Sequence, residues 1–559
     1  MSVLANRLKQ PWTLIWLGMF VLAGVMIAVR PELPSWIFKY PREWVLPIKD
    51  LTSTGMNWII KDASFGLFTV KELTRGIAWL IDWPFDFIVS LTATGFKFGL
   101  GQNAVEVMPS LSWVAVVAIF VAMAHYAKDW KLAALVGGCF LYIVLFGHWT
   151  SAMLTLSSIM IAVPIGVAGG VLLGILAYRH PLMERVLKPV LDLMQTMPSF
   201  AYLVPILFLY GFGSVSAMIA TIIYAMPPMV RVTLLALRQV PSEINDFGQM
   251  VGSTRHQLMW KVLVPSAIPG LMVGVNQVIM LSLNMVIIAS MIGAGGLGYD
   301  VLNALRTLDI GGGIETGLAI VALAIALDRL SYAFASERTP IHHEEDNRHF
   351  LYRHPYWIFV STVILVTYSL MPFFPEIRSF PEAWTLGTDQ LWSDLMRWIN
   401  INYFDQLSAF KNGLLLNVML PLKRFLISLP WLWVTLFLTF LGYRLGRLKL
   451  ALMIFGMCLF IVVNGLWFKA MVTIYLCGIS VLVAMIFGVP LGIWAAQNRR
   501  AGIVISSAID TLQTLPTFVY LIPVVMLFRV GDFSAMIAVV AYSLVPVIRY
   551  TDHGIRQVP

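Results

Sequence analysis

The residues best suited to bind a ligand are two aromatic pairs, Phe200 with Tyr202 and Phe518 with Tyr520. Each pair lies between two prolines, in the stretch DLMQTMPSFAYLVP and again in the stretch DTLQTLPTFVYLIP. Aromatic faces attract a cation that has no hydrogen to donate, so both pairs are candidates for binding an organic cation. The alternative is that these side chains are ordinary packing residues.

The flanking prolines are Pro198 and Pro205 in the first stretch and Pro516 and Pro523 in the second. A proline inside a helix removes a backbone donor and bends the helix. The freed carbonyls cost free energy in lipid unless protein or water satisfies them, so these segments are predicted to face the interior of a helix bundle. Each pair is seven residues apart, nearly two helical turns, which places both prolines on one predicted helix face.

Two other patterns suggest chemistry that the context does not support. Gly293–Gly298 satisfies the G-x-G-x-x-G pattern, but a dinucleotide site needs it between a strand and a helix of a soluble fold. Here it ends a long apolar run, and we expect it to allow close backbone packing at a helix break. His342–His349 is interpreted as a solvated linker rather than a metal site. The sequence contains no Walker motif, so we expect no ATP hydrolysis, enzymatic activity, cofactor or metal in this chain.

The elements that must position these residues are membrane helices. The chain is 59% hydrophobic and only 12% charged, whereas soluble proteins carry about 25% charged residues. Apolar runs such as Leu14–Val29 and Ile159–Tyr178 can cross a hydrocarbon layer of about 30 Å as helices. The sequence predicts an all-α polytopic membrane protein with about 14 helices. Basic residues occupy alternate loops, which predicts a cytoplasmic N-terminus and argues against reading the net charge of +9 as a nucleic-acid signal.

The two proline stretches belong to a repeat with an offset of 318 residues. Between residues 192–241 and 510–559, 23 of 50 positions are identical. Both copies are predicted to enter from the cytoplasm, so they form a tandem parallel repeat around one path, as in a transporter or channel. The second copy stops at Pro559, where the first continues, so we expect it to be C-terminally incomplete. The predicted segments are 1–110 (a helix and a periplasmic interfacial segment), 111–331 (the first module), 332–355 (a cytoplasmic linker), 356–430 (a helix and a second interfacial segment) and 431–559 (the second module).

A cytoplasmic loop that follows the first proline stretch, after Arg231, is predicted to form a rigid knob. Ser242 is a candidate helix N-cap with Glu243 near the positive helix end, and Gly252 suits the position after the C-terminus. Ser253 or Thr254 is then expected to begin a second helix, which enters the membrane near Pro265.

This loop resembles the coupling loop of binding-protein-dependent ABC importers. That loop has Glu-Ala-Ala, three further residues, Gly and a distant Pro; here Asp246, Phe247 and Gly248 replace Glu-Ala-Ala, and Gly252 and Pro265 match. The stretches ALRQVPSEI, GVNQVIMLSLNMVIIASMIGAGGLG and ETGLAIVALAIALDRL, with the first proline stretch, resemble the permease of glycine betaine/proline-type (quaternary amine) importers. The resemblance covers roughly residues 110–330 and 430–559 and implies two permease modules, with the type I ABC importer (MetI-like) fold, fused in one chain.

The resemblance implies an ATP-driven importer in the bacterial inner membrane, working by alternating access. Two cytoplasmic ABC ATPases that hold ATP and Mg, and a periplasmic substrate-binding protein, are the implied partners. Implied substrates are glycine betaine, choline, proline betaine, carnitine or trimethylamine N-oxide. ATPase contacts are expected at Glu243, Asp246, Gly248, Gly252 and Arg255, with Arg556 and Gln557 leading into a second loop.

Gln277 and Asn284 join the aromatic pairs as candidate residues of the translocation path, because polar groups in an apolar helix face a cavity or a partner helix. Ordinary interhelical hydrogen bonding remains the alternative for each. The competing function is an ion-coupled secondary transporter or channel for small organic cations. It would need acidic residues at the middle of the membrane, whereas Asp192, Glu315 and Asp328 lie near predicted helix ends.

Overall fold

The computed structural model describes residues 11–64, 66, 68–99, 105–336, 355–514 and 517–558, which are helical almost throughout. In this part of the chain, eight helices are long and apolar enough to cross a membrane, and one bent helix pair would make a ninth. Three apolar helices of 15 or 16 residues accompany them. The prediction of an all-α polytopic membrane protein is confirmed. The His342–His349 segment lies outside the described residues.

Helices and one strand pair follow one another along the first half of the chain. They are α1 (Pro11–Ala28), α2 (Ser35–Phe38), α3 (Ile48–Lys61), α4 (Val70–Val89), β1 (Phe96–Phe98), β2 (Val105–Met108), α5 (Trp113–Ala127), α6 (Trp130–Leu145), α7 (Trp149–Arg179), α8 (Pro181–Thr196), α9 (Ser199–Tyr210), α10 (Ser214–Arg238), α11 (Ser242–Met250), α12 (Arg255–Gln257), α13 (Val264–Ser290), α14 (Gly296–Thr307) and α15 (Ile310–Ser336). The strands β1 and β2 pair antiparallel. A π-helical turn joins α12 to α13, and another extends α4 to Thr94.

The second half repeats much of this order. Its helices are α16 (Pro355–Leu370), α17 (Pro375–Arg378), α18 (Asp389–Leu414), α19 (Leu420–Ser428), α20 (Trp431–Val463), α21 (Trp467–Gln497), α22 (Arg499–Thr514), α23 (Thr517–Phe528) and α24 (Asp532–Arg556). The helix α20 is broken at Gly446 and Arg447, where the backbone is not helical.

The repeat predicted from the sequence is confirmed by helix lengths. The helices α7 and α21 both have 31 residues and begin at tryptophans 318 positions apart. The helices α8 and α22 have 16 residues each, α9 and α23 have 12, and α10 and α24 have 25. The same sequence offset therefore produces the same order of helices with the same lengths.

Close packing divides the chain into two compact units. One combines Ile59–Asn400 with Asp510–Met526, and the other combines Met1–Trp58, Ile401–Ile509 and Leu527–Pro559. Each unit thus contains most of one module together with a segment that precedes the other module in the chain. We call residues 11–58 the first arm and residues 355–400 the second arm. The boundaries predicted from the sequence follow chain order, and they stay predictions.

The second arm packs on the first module. The indole of Trp113, the first residue of α5, donates to the carbonyl of Glu376 over 2.9 Å. The amide of Leu386 donates to the carbonyl of Leu145, at the end of α6, over 2.7 Å. Arg378 binds both carboxylate oxygens of Glu106 at 2.6 Å. These contacts attach the second arm to one end of the first module.

The first arm packs on the second module through equivalent atoms. The indole of Trp431 donates to the carbonyl of Trp36 over 2.7 Å, and the amide of Leu46 donates to the carbonyl of Val463 over 3.0 Å. Ala23 of α1 lies in a hydrophobic cluster with Trp433 and neighbouring residues of the second module. Each arm therefore packs on the module other than the one that it precedes in the chain.

A buried carboxylate holds the second arm in place. Glu315, in the first turns of α15, is 6% exposed. Its Oε2 accepts hydrogen bonds from the backbone amide of Thr388 at 2.7 Å and from the hydroxyl of Thr388 at 2.8 Å. The Nε2 of His148, in the turn before α7, lies 3.6 Å from the other carboxylate oxygen.

Stability in acid is expected to depend on His148. Burial lowers the pKa of His148 below its usual value of about 6.5, and Glu315 and Asp300 oppose that shift only in part. The unfolded chain takes up this proton at a higher pH than the fold does, so stability is lost as the pH falls below about 6.5. We expect His148→Leu, which introduces the residue found at the equivalent Leu466, to reduce the loss of apparent melting temperature between pH 7.5 and pH 5.5.

The exposed His180 supplies the control for this measurement. His180→Asn is expected to leave the pH dependence of melting unchanged. An equal pH dependence in the wild type and in His148→Leu would contradict the assignment.

Glycines allow the closest helix contact in the first module. A Cβ atom on Gly170 would lie 2.5 Å from Met229 Cβ, and one on Gly174 would lie 2.5 Å from Thr233 Cβ. The pair Gly488 and Gly492 meets α24 in the same manner in the second module. Small residues four positions apart let two membrane helices approach until their backbones nearly touch. The contacts of α7 with α10 and of α21 with α24 depend on this spacing.

The prolines do not share one helix face. Pro198 lies between α8 and α9, where the chain bends by 104°, whereas Pro205 lies inside α9. The prediction that the two occupy one face of a single helix is therefore wrong, because the chain breaks at the first of them. In the second copy Pro523 lies inside α23, and Pro516 lies outside the described residues.

Candidate functional site

A short helix and a glycine turn form the predicted knob. The helix α11 ends at Met250, Gly252 follows with a φ of +80°, and Thr254 caps the next helix. The Thr254 hydroxyl accepts from the amide of Gln257, and the Gln257 side chain accepts from the amide of Thr254. The residue after a helix adopts a left-handed conformation at little cost only when it is glycine. The turn and the start of the second helix agree with the sequence prediction.

The N-terminus of α11 differs from its prediction. Pro241 occupies the N-cap position, no side chain caps the helix, and Ser242 is the first helical residue. Proline at the cap fixes an extended backbone before the helix but supplies no acceptor for the first helical amides. Glu243 still lies in the first turn, close to the positive end of the helix.

Gly248 explains why the knob is compact. It is buried, and a Cβ atom there would lie 2.5 Å from Leu258 Cδ1 and 3.4 Å from a methyl of Val262. Both neighbours belong to the helix that follows the turn, so the missing side chain lets α11 pack directly against it. The knob is thus a helix pair of fixed geometry rather than a mobile loop.

The remaining predicted contact residues lie on the surface of the knob. Glu243, Asp246, Gly252 and Arg255 are exposed. The carbonyl of Arg255 accepts a long hydrogen bond of 3.4 Å from the guanidinium of Arg179 at the end of α7.

Sequence reasoning did not assign a role to the apolar residues of the knob. Phe247 is 67% exposed, Met250 is 86% exposed and Val251 is 68% exposed. The three belong to a helix of nine residues and the turn that follows it, beside charged and polar residues. Exposed apolar side chains on a polar segment are a feature of interaction surfaces. Apolar residues within this otherwise polar loop segment were a sequence signal that could have identified them.

Ion pairs connect the helices near the knob. Arg231 binds Asp192, and Arg238 binds Glu184 at 2.7 Å, so α10 is attached twice to α8. In the second copy Arg556 binds Asp552 at 2.7 Å within α24 and donates to the carbonyl of Ala495 at the end of α21. Gln557 contacts His553. All of these side chains are at least partly exposed, which keeps the contribution of each pair small.

The two side chains of the aromatic pair in the first stretch point to different sides of helix α9. Phe200 is 43% exposed, whereas Tyr202 is 6% exposed and its hydroxyl donates to the carbonyl of Met194. The Tyr202 ring also meets the edge of Tyr224, with ring centroids 6.0 Å apart. Residues two positions apart on a helix point to nearly opposite sides. The structure therefore does not bring Phe200 and Tyr202 to a common surface.

The other candidate path residues occupy different environments. Gln277, on α13, is exposed, and Asn284 on the same helix is half-buried. Tyr520 is half-buried on α23, and the side chain of Phe518 lies outside the described part of the structure. On helix α9, Phe200 is the more exposed side chain of its pair.

The glycine-rich stretch forms the helix break expected of it. Gly293, Gly295 and Gly296 all have positive φ, and α14 begins at Gly296. A Cβ atom on Gly296 would lie 2.5 Å from Thr155 Oγ1, and the amide of Leu297 donates to that same oxygen over 3.0 Å. The glycines thus let the break pack directly on α7.

Known proteins are similar to this chain along most of its length. The family model of the binding-protein-dependent transport system inner membrane component matches residues 166–338 and 488–559. The trimethylamine N-oxide transport system permease protein TmoV of Pelagibacter ubique is 35% identical over 504 residues, which are 88% of this chain and 70% of the relative. The chain belongs to this permease family. A second TmoV, from Ruegeria pomeroyi, is 32% identical and extends over 97% of this permease and 81% of its own length.

A shorter relative matches about half of this permease. The glycine betaine transport system permease protein OpuAB of Bacillus subtilis is 36% identical over 51% of the chain and 93% of its own length. Two separate family matches in one chain agree with the tandem repeat of helices. The predicted membership of the glycine betaine-type permeases is confirmed, and the comparisons favour the importer over the ion-coupled alternative.

Proposed function

We propose that this permease imports a small methylated amine or betaine, with ATP hydrolysed on two partner ABC ATPases. The observation that carries the proposal is the knob, in which a packed helix pair presents Phe247, Met250 and Val251 to solvent. A rigid element with an apolar tip transmits a displacement, because it moves as one body with the helix that follows it. The chain itself takes part in no covalent step and holds no cofactor.

The orientation follows from the same proposal. ATPases that use cytoplasmic ATP place the knob, and with it the N-terminus, on the cytoplasmic side of the bacterial inner membrane. A periplasmic binding protein then delivers the substrate to the opposite end. This placement agrees with the alternation of basic loops along the sequence.

The substrate class is supported by the names of the relatives. They are permeases for trimethylamine N-oxide, glycine betaine, proline betaine and carnitine, all small molecules with a fully substituted nitrogen. Choline has the same group and belongs to the proposed class. Such a nitrogen cannot donate a hydrogen bond, so its recognition depends on aromatic faces and on polar groups for the remainder of the molecule. Phe200 and Gln277 are the exposed candidates for these two contacts.

The deciding experiment uses the permease in proteoliposomes with its ATPase and binding protein. We expect ATP inside the vesicles to drive accumulation of at least one labelled methylamine, and orthovanadate to stop it. Glycine betaine, choline, proline betaine, carnitine and trimethylamine N-oxide are compared in separate reactions. Uptake that continues without ATP and collapses when a protonophore removes the ion gradient would establish the ion-coupled alternative instead.

Phe200 is expected to contribute to the rate of transfer. Phe200→Leu removes the aromatic face, so import at saturating loaded binding protein should fall about 3- to 30-fold, the range of a cation–π contact. Phe200→Trp should retain most of the rate, because the indole face binds cations at least as well. Transport rate at fixed ATP is the measurement.

Phe208 is the matched control, because it lies on the same helix, is 54% exposed and has Met526 at its repeat position. Phe208→Leu is expected to leave transport within about twofold of the wild type, as surface substitutions generally do. Equal losses in Phe200→Leu and Phe208→Leu would remove Phe200 from the path.

A further inference from the structure

The two arms have the same order of short elements. The first arm reads PREWVL from Pro41 to Leu46, and the second reads PEAWTL from Pro381 to Leu386, an offset of 340 residues. Each has a short α-helix followed by a 3₁₀ turn at the same positions, and each ends on an amide that binds a module carbonyl. A duplicated chain of this kind must determine which arm packs on which module.

Most of the arm contacts cannot make that choice. The indoles of Trp113 and Trp431 both donate to backbone carbonyls, which any arm residue supplies. The aromatic contacts are also alike, because Trp113 meets the edge of Phe380 and Trp431 meets the edge of Tyr40, each at 5.5 Å between centroids. A backbone acceptor and an interchangeable ring carry little information about the identity of the arm.

Two contacts distinguish the arms: the exposed pair of Arg378 with Glu106, where the first arm has Phe38, and a buried contact made by Glu315. Glu315 accepts from the amide and from the hydroxyl of Thr388. The residue of the first arm at this position is Ile48, which has no hydroxyl and whose amide donates to the carbonyl of Leu46 at 2.8 Å. An arm with isoleucine here would still have a backbone amide, but the buried carboxylate of Glu315 would lose the hydroxyl donor. Removing one partner of a buried charge costs far more than the pair itself contributes.

The surroundings of Glu315 do not replace Thr388. His148 lies 3.6 Å from the other oxygen of Glu315, and Asp300 also acts electrostatically on His148. Tyr142 directs its hydroxyl to the backbone carbonyl of Glu315 rather than to the carboxylate. The position equivalent to His148 in the second module is Leu466, so the polar arrangement is specific to the first module.

We propose that Glu315 and Thr388 form a selectivity lock that assigns the second arm to the first module and rejects the first arm there. The exposed pair of Arg378 with Glu106 adds little to this choice, and the buried carboxylate with its matching hydroxyl makes the larger contribution. The lock determines assembly, not transport chemistry.

The test is a competition between the two arms in the full chain. Cys139, Cys458 and Cys477 are replaced by alanine, and Ser112→Cys is combined with both Ile37→Cys and Ile377→Cys, which are equivalent positions in the two arms. Ser112 donates to the carbonyl of Ile377 in the structure. After reaction with a short bismaleimide, mass spectrometry measures the ratio of the 112–377 to the 112–37 cross-link.

We expect the 112–377 product to dominate with Thr388 present and the ratio to fall about 10- to 100-fold in Thr388→Ile, the range for hydrogen bonds to a charged group. Ile48→Thr is expected to raise the 112–37 product with Thr388 intact. Thr388→Ser retains both donors and should keep the parental ratio. In a Glu315→Leu background, Thr388→Ile should have no further effect.

Thr385 provides the control, because its side chain lies on the same arm, contacts Gly147 and donates to Glu382 within the arm. Thr385→Val should leave the ratio unchanged. A constant ratio in both Thr388→Ile and Ile48→Thr would overturn the lock. So would an equal effect of Thr388→Ile with and without Glu315. If Thr388→Ile does not accumulate, Ile48→Thr and Thr388→Ser still decide between these outcomes.

Discussion

Substituting aspartate for Phe247 and Met250 together is expected to abolish transport while leaving the permease folded. Both side chains are mostly exposed, so the change costs the isolated permease little. If they enter an apolar groove on the ATPase, two buried carboxylates without partners would weaken docking by about 4 kcal/mol or more, close to a thousandfold in affinity. Transport rate and co-purification of the ATPase are the measurements.

Gln249→Asp is the matched variant, since Gln249 is exposed on the same helix between the two apolar residues. It adds one negative charge without removing apolar surface, so assembly should persist. A Phe247→Asp, Met250→Asp permease that binds the ATPase and transports at half the normal rate would show that the knob is not the docking surface.

Substituting leucine for Gly174 is expected to have the largest effect on stability. A Cβ atom there would lie 2.5 Å from Thr233 Cβ and 3.0 Å from the carbonyl oxygen of Val230 on α10. Neither the β-carbon nor the backbone can rotate away, so the two helices must separate. Overpacking of a tight core costs roughly 1–3 kcal/mol and more where backbone must move. We expect a fall in apparent melting temperature of roughly 5–10 °C.

Two glycines test the specificity of that loss. A Cβ atom on Gly166, in the same helix, would make ordinary contact at 3.6 Å, and one on Gly138 would meet nothing within 4 Å. Gly166→Ala and Gly138→Leu should therefore melt within about 2 °C of the wild type, whereas Gly492→Leu, the repeat partner, should reproduce the loss. Normal melting of Gly174→Leu would mean that the helices do not depend on this contact.

Local features of the fold could be predicted from the sequence. The turn at Gly252 and the cap at Thr254 depend on a few adjacent residues whose backbone preferences dominate. The repeat was visible because its offset of 318 residues is free of gaps over the modules. Equal helix lengths in the two copies are a consequence of that gap-free offset. The expected helix ends at Ser242, Gly252 and Thr254 predicted the knob, and the structure adds the reason for Gly248, which is close packing against Leu258 and Val262.

Features that depend on distant packing could not be predicted in this way. The spacing of Phe200 and Tyr202 suggested one aromatic site. Neighbouring helices bury the tyrosine, however, and the phenylalanine side chain stays exposed. Pro198 was expected within a helix, but the chain bends beside it. The repeat in the sequence does not show whether each arm packs on the module that follows it in the chain or on the other module. That choice depends on contacts such as Glu315 with Thr388, between residues 73 positions apart.

The crossed arrangement of the arms has a consequence for biosynthesis. A ribosome finishes α15 well before it adds Thr388, so for that interval the carboxylate of Glu315 has been made without the donors that it later binds. The nascent first module must wait in the bilayer for a segment encoded downstream, and the growing second module must meet a segment inserted at the very beginning. The packing of the first module is therefore complete only after the second arm has been synthesised.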